Sequence, residues 1–131
     1  MRLILPITLL LIGVKFIATD STKTVGSKPK IIYGTASFYA NSFNGKRTAN
    51  GETFSQKKMT AACNVLPLGT WIRVTNLRNG RSVLVRTNDR LHARMKRVVD
   101  LSRSAAEKLN YVKSGLTQVK VEVLGKTKPE E

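Results

Sequence analysis

The chain has 131 residues, with 23 Lys and Arg against 8 Asp and Glu, for a formal net charge of +15. That length gives room for one domain with a modest core. A single cysteine excludes an internal disulfide, and one Cys with one His cannot make a zinc site without carboxylates at suitable spacing. A charge this large on so small a chain calls for an anionic partner or surface.

The first segment differs from all that follows. Met1-Arg2 gives a positive start, Leu3 to Ala18 is apolar but for Thr8 and Lys15, and the small residues Ala18 and Thr19 come next. This is the layout of a secretory signal peptide over residues 1–19. Lys15 leaves the apolar run short for a bilayer span. Residues 20–30 are polar, with Ser, Thr, Gly, Pro and three lysines, and read as a flexible linker. Ile31 to Tyr39 then mixes β-formers with small residues. Trp71 to Thr75 alternates, with Ile72 and Val74 on one face, and Ser82 to Thr87 alternates again through Val83 and Val85. Asn79-Gly80, between these two runs, is a strong hairpin signal. A helix follows Asp100-Leu101, capped by Ser102 or begun by the capping-box spacing Ser104-Ala-Ala-Glu107, with Gly115 just past its end. Gln118 to Leu124 sets Val119, Val121 and Val123 on one side and Lys120 and Glu122 on the other, a half-buried strand. Residues 125–131 are a polar tail expected to fray. Several short strands with one late helix predict a mainly β fold, a small barrel over residues 31–124.

Four segments, in order, carry the chemistry: Gly34-Thr-Ala-Ser-Phe-Tyr-Ala-Asn41, Thr48-Ala-Asn-Gly-Glu52, Thr60-Ala-Ala-Cys-Asn64 and Thr87-Asn-Asp-Arg90. Together they make a chain that resembles the bacterial rare lipoprotein A (RlpA) family of peptidoglycan lytic transglycosylases, a likeness running from Ile31 to Val123. The resemblance implies a six-stranded double-psi β-barrel. It implies cleavage of the β-1,4 bond between N-acetylmuramic acid and N-acetylglucosamine, leaving 1,6-anhydro ends, on glycan strands stripped of stem peptides. It implies Asp89 and Glu52 as the active-site acids, with Tyr39, Asn50, Asn88 and Arg90 as substrate contacts. No cofactor or metal is expected, and the cell-division machinery is the protein partner that the family suggests. The chain departs from the family twice. Cys63 stands where relatives have His, and Asn88-Asp-Arg-Leu-His92 lacks their Gly-Pro after the arginine. No cysteine follows the leader for lipid attachment, so the expectation is a periplasmic or secreted protein with no stable membrane anchor.

Taken without the resemblance, the residues leave Asp89 as an arginine partner or turn cap and Glu52 as a surface acid equally open, and it is the resemblance that turns both toward an acid site. Glycan cleavage needs an acid for the glycosidic oxygen and something to stabilise an oxocarbenium-like centre. A lytic transglycosylase places no water, because the sugar's own 6-hydroxyl attacks, so one carboxyl group can serve first as acid and then as base. Of the eight acidic residues, Asp20, Glu130 and Glu131 lie in the tails, Glu107 and Glu122 on exposed faces, and Asp100 ahead of the helix. Glu52 and Asp89 remain. Asp89 ends a strand and enters a basic loop, where a carboxyl group can face a cleft. Arg86 and Arg90 are close in sequence, and a cation beside Asp89 would favour its charged form. Either they point elsewhere, or Asp89 works chiefly as a base. Glu52 follows the turn Asn50-Gly51. Tyr39 is the better of the aromatics for a sugar platform, whereas Phe43 and Trp71 read as core. His92, alone in the loop after Asp89, reads as an exposed bystander.

Two rival readings belong to other classes. A glycan-binding or wall-loosening barrel of the expansin kind would need no acid chemistry, and Cys63 together with the altered Asp89 loop favours it. A nucleic-acid-binding role rests on charge alone and conflicts with the leader. Taking away Arg2 and Lys15 leaves 21 basic against 8 acidic residues, a charge of +13 that suits a glycan bearing muramyl carboxylates better.

Overall fold

The structure, a computed structural model, describes Lys28 and residues 30–130. The expected signal peptide and, apart from Lys28 and Lys30, the expected linker lie outside the described residues. Six strands make the fold: β1 (Ile31–Phe38), β2 (Thr60–Ala62), β3 (Trp71–Asn76), β4 (Ser82–Asp89), β5 (Val99–Leu101) and β6 (Thr117–Gly125). One short helix, α1 (Arg103–Lys108), and one turn of 3₁₀ helix at Asn41–Phe43 complete it. The strands close into a barrel in the order β1-β5-β2-β4-β3-β6. Two pairs, β1 with β5 and β2 with β4, are parallel, and the others are antiparallel.

Alternation along the strands builds the interior. Ala36, Ile72, Val74, Val85, Val99, Leu101, Val119 and Val121 are each fully buried, and all belong to one core. Their intervening neighbours face out, as the two-residue period of a strand requires. β3 and β4 form the hairpin that the alternation announces, turned at Gly80 with φ +77°, a value that favours glycine. Closure leaves the barrel without free sheet edges.

Two features differ from the sequence reading, and a third adds to it. β2 and β5, three residues each, carry too short a pattern to be seen by periodicity. The helix starts where expected, with the Ser102 side chain accepting from the Ala105 amide at 3.3 Å, but it ends at Lys108. Asn110, at φ +58°, breaks it, and Gly115 belongs to a later turn. The third concerns Gly34 in β1. A β-carbon there would stand 3.0 Å from Val98, so the absence of a side chain lets the segment leading into β5 pack directly on β1.

The parallel pairs gather the site. β4 carries one residue more than β2 where they pair: Ala61 registers with Thr87 but Ala62 with Asp89, so Asn88 is a bulge residue. Such a bulge re-aims side chains at a strand end. Ala62 registers as well with Asp100 on β5.

Candidate active site

Asp89 closes β4 and lines a cleft of about 480 Å³. Both of its oxygens are held by neutral donors. Oδ2 accepts the Tyr39 hydroxyl at 2.6 Å. Oδ1 accepts the backbone amides of Ala49 and Arg90, each at 2.9 Å. Tyr39 is itself fixed, its ring stacked on Phe54 at a centroid distance of 4.0 Å and edge-on to Phe43 at 5.6 Å. Burial pushes the Tyr39 phenol far above its usual range, and the hydrogen bond and charge of Asp89, with the charge of Asp100, add to that rise. Tyr39 therefore stays a proton donor to Asp89 throughout the working pH range.

The nearby arginines do point elsewhere. The Arg90 guanidinium donates to the carbonyls of Cys63 and Leu66 at 2.6 and 2.7 Å. Arg86 donates to both oxygens of Glu52 at 2.8 and 2.7 Å. Arg90 thus serves the site by cross-linking the β2–β3 segment to the end of β4.

Glu52 sits at the end of a stiff turn. Thr48 and Glu52 are tied by an amide-to-carbonyl bond of 2.8 Å, and Gly51 takes φ +90°. Asn50 Oδ1 accepts from the Thr48 hydroxyl at 2.6 Å and from the Glu52 amide at 3.1 Å. The turn docks on the end of β4 through the Ala49 amide to Asp89, through the Asn50 amide to the Asn88 carbonyl at 3.2 Å, and through the Glu52 carboxylate, which accepts from Asn88 Nδ2 at 3.0 Å. Hydrogen bonds from Asn88 and then Asn50 hold the Glu52 carboxyl down at about 2; burial opposes them, and Arg86 adds a smaller lowering than either asparagine. The two acids therefore meet at one strand end, but Asp89 lines the cleft while Glu52 stands beside it in an ion pair.

Cys63 is fully buried in the main core, and its amide donates to the Asp89 carbonyl at 3.0 Å. Its thiol packs, and its backbone braces β4. His92 is exposed but lines the cleft, its Nδ1 accepting the Arg94 amide at 3.2 Å. Phe43, read as core, is 47% exposed and forms part of the cleft wall with Phe38, Leu91 and Met95. Trp71 lies away from this cleft, with the Lys128 ammonium 5.5 Å from its ring centre. Asp100 and Arg97 also line the cleft, and neither stands out in sequence. The signal was Val99-Asp100-Leu101, where a charge alternates with two fully buried side chains and so faces the other way. Among the described residues no cluster of three or more His, Cys, Asp or Glu could hold a metal.

The model of the lytic transglycolase family matches residues 31–121, the whole barrel up to β6. The chain belongs to that family. The Pseudomonas aeruginosa protein called endolytic peptidoglycan transglycosylase RlpA is 55% identical over 89 residues, which are 68% of this chain and 26% of that protein. The chain thus spans about a quarter of that relative's length. Among solved structures, the Streptomyces papain inhibitor superposes with a TM-score of 0.60 at 19% identity, covering 72% of this chain and 94% of the inhibitor. The expansin of Clavibacter michiganensis superposes at 0.59, also 19% identical, over 78% of this chain and 53% of its own. These likenesses fix the barrel as double-psi, and membership in the lytic transglycolase family bears out the RlpA resemblance read from the motifs.

Proposed function

We propose that this chain is a peptidoglycan lytic transglycosylase that cleaves the β-1,4 bond between N-acetylmuramic acid and N-acetylglucosamine. The observation that carries the reading is Asp89, set in an apolar-walled cleft and oriented on both oxygens by the Tyr39 hydroxyl and two backbone amides. Asp89 gives a proton to the glycosidic oxygen as the bond to the anomeric carbon breaks. The 6-hydroxyl of the same sugar then attacks that carbon and returns its proton to Asp89, leaving a 1,6-anhydro end. Glu52, Arg86 and Asn88 hold the Asn50 turn against β4 and so keep the Ala49 amide on Asp89. Tyr39 and Arg90 line the cleft around the sugar, whereas Asn50 and Asn88 lie outside its lining and act through the turn that supports Asp89. The excess of basic residues suits strands whose muramyl carboxylates are free of stem peptides. The apolar leader supports export to the periplasm or beyond, and cell-division proteins are the partners in keeping with the family.

Incubating the purified protein with denuded glycan strands and weighing the products tests this reading. Anhydro-ended fragments are expected; intact strands, or fragments with reducing ends formed by hydrolysis, overturn it. A barrel that binds glycan without cutting it is the second reading, favoured by the buried Cys63 in the place of the family histidine. Co-sedimentation with sacculi in the absence of products supports that one.

A further inference from the structure

The cleft holds a second carboxylate. Ala62 on β2 registers with Asp89 on β4 on one side and with Asp100 on β5 on the other. Residues paired across neighbouring strands share a face of the sheet. Asp89, Ala62 and Asp100 therefore form one row over three strands, and both acids line the same cleft. Neighbouring paired α-carbons stand about 5 Å apart, so those of the two acids stand about 10 Å apart. Between them in the row stands Ala62, which is 2% exposed and lines the cleft. The row is a short trough with an acid at each end.

Asp100 is held as firmly as Asp89, by a different device. Arg97 donates Nε to Oδ1 at 2.8 Å and Nη2 to Oδ2 at 3.1 Å. This bidentate clamp fixes the plane of the carboxylate and leaves part of it open, its side chain being 16% exposed. Tyr39, which donates to Asp89, also feels the charge of Asp100. A tie between the 90–97 loop and β5 accounts for the ion pair. It does not account for placing that pair in an apolar-walled cleft, in line with the other acid.

We infer that Asp100 is the second carboxylate of the active site, facing the sugar across Ala62 from Asp89 and stabilising the positive charge that develops at the anomeric carbon. It forms no bond and moves no proton. Proton transfer stays with Asp89, and Asp100 supplies a fixed carboxylate, partly offset by Arg97, beside the place where the charge develops. Arg97 is a positioning residue that holds it in place. This inference rests on the transglycosylase reading for the identity of the sugar.

A cationic sugar tests it without depending on turnover. The probe is an N-acetylhexosamine disaccharide whose second ring is a protonated iminosugar, compared with its neutral parent by calorimetry. On a chain of net charge +15, a preference for the cation must come from local carboxylates. Wild type is expected to bind the cation at least tenfold better than the neutral sugar, and Asp100→Asn to lose roughly tenfold of that preference. Asp89→Asn is the second arm, and it should retain most of the preference. Thermal melting shows whether each variant is folded; if Asp100→Asn is not, wild type and Asp89→Asn decide alone. A wild type without preference, an Asp100→Asn variant that keeps it, or an Asp89→Asn variant that abolishes it overturns the inference. The anhydro-product assay on wild type judges the transglycosylase reading separately. Where turnover is seen, Asp100→Asn should lower kcat on the order of a hundredfold and leave KM nearly unchanged, whereas a merely structural pair would move the melting temperature alone.

Discussion

Asp89 and Glu52 are docked on the same strand end and are treated in opposite ways. Asp89 receives uncharged donors only: a phenol and two amides. Glu52 receives a guanidinium on both oxygens and an asparagine amide besides. An acid that must give up and regain a proton is served by donors that orient it without adding a full positive charge beside it. An acid that holds a turn in place is served by a cation. The difference sets the acid proposed to exchange a proton apart from the acid that braces a turn, although the sequence presents both as acids in matching motifs.

Substitutions can break that contrast. The largest effect is expected from Asp89→Asn, which keeps the shape and removes the titrating group; anhydro-product formation should drop on the order of a hundredfold or more, and a near-wild-type rate in the product assay sinks the assignment. Next comes Cys63→His. Restoring the imidazole of the relatives looks like a gain on paper, but the thiol is fully buried in the core. The larger ring should cost about 1–3 kcal/mol in chemical unfolding, and a variant as stable as wild type with higher activity would show that the core opens to admit it. Tyr39→Phe removes one donor from Asp89 and leaves the stacking on Phe54 intact; activity should fall roughly tenfold, in line with one hydrogen bond to a charged group.

The smallest effect belongs to Glu52. Its carboxyl is held at about 2 against an ordinary 4.5, so its contribution to stability is complete above about 4.5 and is lost as the pH falls towards 2. The side chain is 40% exposed, and screening limits that contribution to about 1 kcal/mol or less. Wild type should therefore melt slightly above Glu52→Gln at neutral pH, and the gap should close on acidification from pH 5 to pH 2. A gap that widens in acid would reverse the assignment of Glu52 as a brace.

The sequence made the long strands legible because β3, β4 and β6 each bury one face, and their alternation records it. It did not make β2 and β5 legible, because three residues hold little more than one period. The same brevity hid Asp100, which read as the residue before a helix until its strand gave it a face. Phe43 was misplaced because an aromatic at a cleft rim and one in a core have the same composition signal. The motifs, by contrast, brought Asp89, Glu52, Tyr39 and Asn50 to attention, and the hydrogen bonds among their segments explain why the motifs travel together. Which of the two acids is ion-paired was not legible, because that depends on which one Arg86 reaches.

The contact between Gly34 and Val98 has a consequence for how this barrel can change over time. The α-carbon of residue 34 and the side chain of residue 98 share one small volume, and Val98 sits immediately between Arg97 and the strand that carries Asp100. Its amide is also pinned to the Thr35 carbonyl at 2.9 Å. A single methyl group added on the far wall would be transmitted through Val98 to the guanidinium clamp. A side chain at position 34 is therefore accommodated only if Val98 gives way, which couples this position to the segment that holds the cleft's second acid.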